Sequence, residues 1–412
     1  MEYQHDIPTN RIVPIRFIPF DIGCPINMHL AESINKRLRS KFNQVSKDDD
    51  IIRLLSISSP HLISAFHISD NINLYIFDFG IGVFTVKGKD FIIEEERYAD
   101  KYCACRKKSH ETYLKTSNIH SKSISEIVNI LRCFAAENSK ALRISAQESW
   151  EYRGLSYVMT VSHVVNTDGN FVYEAMTEQE KLNLQIMLEP SIAHKEDSLI
   201  YSCYNEVDEE DCHVDLSQLD TPKNMLFSEK NAIYISWAAV LIYGSDIDQN
   251  LQNMVTALEI GLQAMWMNTY CLYENLVQKG KKEKMLVSHL QTELFTFRRM
   301  LNEFKRISDS SLPSYVRRIR EELIRTSGID GYAENYQAEL EYLIAETNSI
   351  NAEKQKKYSW LNELLLFLIA FIQIAPMLYR VLSSGFPALK PIPVIAMALI
   401  VVIAAIILIK KD

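Results

Sequence analysis

Glycine is scarce here, with 12 among 412 residues, and prolines also number 12. About 3% glycine against the usual ~7% excludes a collagen-like or linker-dominated chain and favours long regular elements. Cysteine is sparse too: Cys24, Cys103, Cys105, Cys133, Cys203, Cys212 and Cys271 are odd in number and scattered. That pattern excludes a disulfide-dense secreted scaffold and fits thiols kept reduced in a cytosolic compartment. Catalytic motifs are missing as well. No GxxxxGK[ST], HExxH, GxSxG or GxGxxG occurs, and no histidine has a nucleophile or carboxylate at motif spacing. The expectation is a protein that is not an enzyme. A net charge of -8 argues against direct nucleic-acid binding.

What is present is an uneven distribution of apolar residues. Mean hydropathy is -0.08, yet WLNELLLFLIAFIQIAPMLYR from Trp360 and PIPVIAMALIVVIAAIILIKKD from Pro391 are membrane-like. Each apolar run is about 19 residues, enough at ~1.5 Å per residue to cross a hydrocarbon core of ~30 Å. The sequence therefore predicts two spans, at about 361–379 and 391–409, joined by a short loop as a tight hairpin. Lys354, Lys356 and Lys357 precede the first and Lys410 and Lys411 follow the second, whereas only Arg380 and Lys390 flank the loop. Basic residues favour the cytoplasmic side, so both termini are expected there, in a multi-pass protein of the inner (cytoplasmic) membrane. The opening MEYQHDIPTN has neither the basic nor the apolar region of a secretory signal.

Residues 1–244 read as a cytosolic, sensor-like mixed α/β domain. Strands are expected over 11–20, 61–68, 73–79, 82–87, 155–165 and 232–243, where β-branched and aromatic residues gather, and helices over 27–41, 123–137 and 177–188. Residues 245–357 read as a helical stalk. Ile247, Leu251, Met254, Leu258, Leu262, Met265 and Trp266 form one stripe; Leu286, Leu290, Leu294, Phe297, Leu301 and Phe304 form another. A shorter helix follows over about 314–325. Tyr336, Leu340, Leu343, Thr347 and Ile350 then keep a four-three spacing that meets no proline or glycine before Trp360, so the last cytosolic helix should run straight into the first span. Residues 358–412 make the transmembrane hairpin. The expected class is an α+β cytosolic domain, then long antiparallel helices, then a C-terminal two-helix transmembrane hairpin.

This plan, with the tail ILIKKD after the second span, resembles the CorA-type divalent-cation channel family over roughly residues 228 to 412. The resemblance implies a homopentamer and an ion path. Where that family carries Gly-Met-Asn, this chain reads Ala375-Pro376-Met377-Leu378-Tyr379-Arg380, so no filter residue carries over. A ring of Arg380 at the mouth would repel an entering cation. The layout is also similar to the CorA-like membrane effectors associated with type III CRISPR systems, which implies antiviral defence and gating by a nucleotide second messenger.

Read from the residues alone, ~100° per residue places Asn362, Leu366, Ile369, Gln373, Pro376 and Arg380 within about 40° of one line, the expected pore lining. Asn362 and Gln373 are amides at membrane depth and must meet protein or water. Pairing between helices satisfies them equally well. Two helices cannot enclose water, so a pore requires a homo-oligomer. For a ligand, Arg143, Trp150, Tyr152 and Arg153 form a weak candidate set able to stack a base and pair with phosphate. No metal site is assigned: Cys103-x-Cys105 is spaced too closely for a structural zinc site, and the acidic run 206–211 reads first as a solvated loop and second as a divalent-cation sensor. Three functions stay open: a ligand-gated channel or membrane-perturbing effector, a magnesium or other divalent-cation transporter, and a membrane-anchored scaffold without a pore.

Overall fold

Strand formation starts in TNRIVPIRFIPFD, where β-branched and aromatic residues build β1 (Thr9–Asp21). The computed structural model describes residues 9–59, 61–87, 91–94, 124–138, 142–143, 157–163, 224–228, 231–236, 239–244, 249–280, 287–306 and 313–385. They divide into two compact units, Met1–Lys284 with Thr292–Leu340, and Met285–Gln291 with Glu341–Asp412.

In the first unit the strands after β1 are β2 (Asn43–Gln44), β3 (Leu62–Ser69), β4 (Ile72–Phe77), β5 (Ile81–Lys87), β6 (Phe91–Glu94), β7 (Tyr157–His163), β8 (Asn224–Ser228), β9 (Asn231–Ile235) and β10 (Ala239–Gly244). All ten form one sheet, ordered β2-β3-β4-β5-β1-β7-β10-β9-β8, with β6 also on β1. Every ladder is antiparallel except β7 with β10.

β1 is central and yet holds two prolines, residues that cannot donate to a ladder. Each stands where one neighbour is lacking. The β7 ladder stops at Arg16, short of Pro19, and Pro14 falls between the stretches paired to β5 and to β6. Their odd separation turns the two nitrogens to opposite edges, so neither need break a hydrogen bond.

Alternation along β1 divides the core between the two faces of the sheet. Ile18, Phe20 and Ile22 point one way, into a cluster with Leu30, Ile34 and Leu38 of α1 (Met28–Arg39) and Ile127, Val128 and Leu131 of α3 (124–138). The opposite face carries Phe17 and Asp21 and is covered by α4 (Gln249–Gly280), which packs on β1, β5, β7 and α2 (Asp50–Ser58). Helix α1 starts where the Leu30 N–H donates to Asn27 Oδ1 at 2.9 Å, and α2 where the Ile51 N–H donates to Asp49 Oδ1 at 2.9 Å. Of the expected stripe, Leu251, Met254, Leu258, Leu262 and Met265 are buried and Trp266 is half-buried, while Ile247 lies outside the described residues; Gln252, Thr256, Glu259 and Asn268 on the other faces are buried too. It is a central helix with little access to water.

Helix α5 (Val287–Arg306), α6 (Ser314–Thr326) and α7 (Ile329–Gly385) follow. Gly328, at φ +66°, separates α6 from α7 in the left-handed conformation that ends helices. Within the first unit α7 buries Ile329, Ala333, Tyr336 and Leu340; of the stripe expected from the sequence, Tyr336 and Leu340 are buried, Leu343 and Thr347 half-buried, and Ile350 exposed. The Phe297 and Tyr336 rings meet edge to face at 4.6 Å.

Of the second unit, residues 341–385 belong to α7. Most of its side chains are exposed, including Leu361, Leu366, Phe367, Ile372 and Met377. Among the described residues one helix, α7, is long and apolar enough to cross a membrane, and none of its apolar window is buried. The expected helix 177–188 and the expected second span 391–409 lie outside the described residues.

Candidate functional site

Two arrangements bear on function: a buried polar junction in the first unit and the exposed length of α7 in the second.

The junction forms where β1 ends. Asp21 is fully buried, and Arg143, 7% exposed, reaches it with Nη2 2.5 Å and Nε 3.0 Å from Oδ1. The remaining Arg143 donors meet the carbonyls of Phe79 at 3.2 Å and Gly80 at 3.0 Å, and Oδ1 of Asn268 at 3.4 Å. The Gly23 N–H also donates to Asp21 Oδ1, at 2.8 Å, and Arg143 Nε lies 3.1 Å from Oδ2. One guanidinium thus ties the end of β1, the β4–β5 turn and α4 together, using the planar fork that suits arginine to such a role. Nearby, Arg132 Nε donates to the Asp21 carbonyl at 3.1 Å, and burial holds its guanidinium below the ordinary arginine value.

Close packing here depends on Gly80. Its φ is +84°, and a Cβ would stand 2.0 Å from the Cys24 carbonyl oxygen and 2.8 Å from Arg143 Nη2. Only glycine satisfies both the backbone conformation and the space.

A second polar contact flanks the same turn. His61 Nδ1 lies 3.0 and 3.1 Å from the two Asp78 oxygens, and Nε2 lies 4.0 Å from Glu303 on α5. The hydrogen bond to Asp78 raises the His61 pKa above the ordinary value; burial opposes it, and the charges of Asp78 and Glu303 add to it. Glu303 is itself held low by the Arg299 guanidinium at 2.9 Å. Further along α5, Tyr336 donates its hydroxyl to Glu293 at 2.6 Å, and burial together with that carboxylate pushes the phenol pKa up.

Among the ligand candidates, Arg143 is therefore placed inside the fold with acceptors around its guanidinium. Trp150, Tyr152 and Arg153 lie outside the described residues, as do Cys103, Cys105 and the acidic run 206–211. Among the described residues no group of three histidines, cysteines or carboxylates is placed to hold a metal ion. Sequence reasoning missed Asp21, His61 and Tyr336 as polar partners. Arg143 and Asp21 are 122 positions apart, and no local spacing announces the pair.

The pore-lining candidates share one helix. Asn362, Leu366, Ile369, Gln373, Pro376 and Arg380 are all exposed on α7. The exposed apolar residues Leu361, Leu365, Phe367, Ile372, Ile374 and Met377 occupy the rest of the circumference, at about 60° or more from the Asn362 line. Pro376 sits inside the helix, where it lacks the backbone N–H and leaves one carbonyl of the preceding turn without its usual donor. The exposed stretch is thus apolar around most of its circumference, with Asn362, Gln373 and Arg380 sharing one line with Leu366, Ile369 and Pro376. Compared with models of protein families, with curated proteins and with solved structures, the chain matches none of them.

Proposed function

We propose that this chain is a homo-oligomeric membrane channel of CorA-like plan, or a membrane-perturbing effector, opened by a ligand that its cytosolic α/β body senses. The observation that carries the reading is the exposed stretch of α7 around 361–380, apolar around most of its circumference, with Asn362, Gln373 and Arg380 gathered along one line beside Leu366, Ile369 and Pro376. Exposed apolar surface of that extent requires lipid or partner helices, and amides at membrane depth require protein or water. Closed cyclic packing of several copies on the polar line meets both needs. The reading takes the apolar sequence of 391–409 as a second span, which would put both termini in the cytoplasm and the protein in the inner membrane.

In this reading the chain passes from the α/β body into the bilayer within α7, so a ligand-induced change in the body has a covalent route to the gate. The resemblance to CorA-like effectors makes a nucleotide second messenger the first ligand to test and a divalent cation the second. Full-length protein in liposomes, exposed in turn to cyclic and linear oligonucleotides, ATP and magnesium, is expected to release entrapped ions with one of them. Release with none, from protein shown to be inserted and oligomeric, sinks the proposal. Asn362→Leu with Gln373→Leu separates a pore from a scaffold: the pair abolishes release through a pore and leaves a scaffold intact.

A further inference from the structure

The polar line on α7 continues below the expected span. At ~100° per residue Asn348, Asn351 and Gln355 fall within about 40° of the line through Asn362, Gln373 and Arg380. All six side chains are exposed. The carboxylates of the same stretch avoid it: Glu346, Glu353 and Glu363 lie roughly 160°, 180° and 100° away. Lys354, Lys356 and Lys357 also stand off the line, by about 80° or more, and crowd its cytosolic approach. From Asn348 to Arg380 the line therefore bears amides, the Tyr358 phenol, apolar residues and a single formal charge, which is positive.

We propose that the species conducted along this line is a small inorganic anion such as chloride, with Arg380 setting the sign and the amides replacing part of the ion's hydration. The inference rests on the channel reading above and adds the permeant to it. In a closed ring each copy contributes an Arg380 at the same level, and the resulting potential concentrates anions and repels cations. Asn and Gln amides donate as well as accept, so their NH₂ groups can solvate a partly dehydrated anion. A cation path would want carboxylates or carbonyl rings on this face, and Glu346, Glu353 and Glu363 are turned elsewhere.

The test is electrical. Full-length protein is reconstituted in planar bilayers under a potassium chloride gradient, with the nucleotides and magnesium named above as openers, and the sign of the reversal potential is read. Chloride is expected to permeate at least several-fold better than potassium. Arg380→Gln should remove the preference and Arg380→Glu reverse it. Because an Arg380 variant can fail to insert, Gln373→Glu, on the same line, gives a second charge test that should also shift selectivity toward potassium. A wild-type current carried by potassium, or a chloride preference untouched by the inserted variants, overturns the anion path while leaving a channel. Absence of any current with every opener overturns the channel reading itself, and this inference with it.

Discussion

Replacing Arg143 with methionine keeps much of the side-chain length and removes the charge from the junction that closes β1. Asp21 is fully buried and pairs with Arg143 at 2.5 Å. Without the guanidinium it keeps the Gly23 N–H, but the Phe79 carbonyl loses the Arg143 donors at 3.2 Å and the Gly80 carbonyl, losing the one at 3.0 Å, keeps only the Ile22 N–H at 2.9 Å. Removing one partner of a buried pair costs about 3–5 kcal/mol, because the other charge stays uncompensated. That is a large share of a domain stability of ~5–15 kcal/mol. At ~2–4 °C per kcal/mol for a large domain it amounts to a fall of around 10 °C in Tm. Thermal and urea unfolding of the full chain in detergent, followed by circular dichroism, measures it. A cycle with Asp21→Asn then isolates the pair, and the double variant should recover about 1–3 kcal/mol relative to the sum of the singles. A single variant within about 1 kcal/mol of wild type, or a strictly additive cycle, would refute the reasoning.

Gly80→Ala should destabilise by more than about 2 kcal/mol, since a positive φ and contact with a backbone oxygen act together; near-wild-type unfolding would show that the turn can shift. Protonated His61 is stabilised by Asp78 and Glu303, so its folded pKa is raised. Its contribution is full below about pH 6.5 and disappears as pH rises through the folded value. Because its partners Asp78 and Glu303 are 47% and 44% exposed, the effect is at most about 1 kcal/mol, and His61→Gln should flatten the urea midpoint between pH 5.5 and 8.5; an unchanged slope refutes the assignment. Tyr336→Phe removes the donor to Glu293 and should cost about 1.5–3 kcal/mol, read by urea unfolding, with no loss expected if water replaces the hydroxyl.

Periodicity made much of the architecture legible. The strand expected over 11–20 appears as Thr9–Asp21, and the helix expected to run through residue 360 appears as Ile329–Gly385. Both carry long patterns that few alternatives satisfy. The run 232–243 reads as one strand but forms two, β9 and β10, because its apolar residues continue through the reversal with no glycine or proline to mark it. Helix α2 was missed although Asp49 and Asp50 carry an N-terminal signal, for nine residues hold too few turns for periodicity. The polar junction was illegible for another reason: Asp21, Arg143 and Asn268 come from three distant segments, and only the sheet with its covering helix brings them together.

The central position of β1 also dictates an order of assembly. Its β5 edge closes within the first 87 residues, but the other waits for Tyr157–His163, and β7 in turn waits for Ala239–Gly244. While the chain is being synthesised at ~5–20 residues per second, the nascent sheet holds an unpaired apolar edge for several seconds or longer. Such an edge is a template for intermolecular pairing, and the apolar part of α7 has yet to be made. Yield should therefore depend on elongation rate and chaperone supply before it depends on membrane insertion capacity.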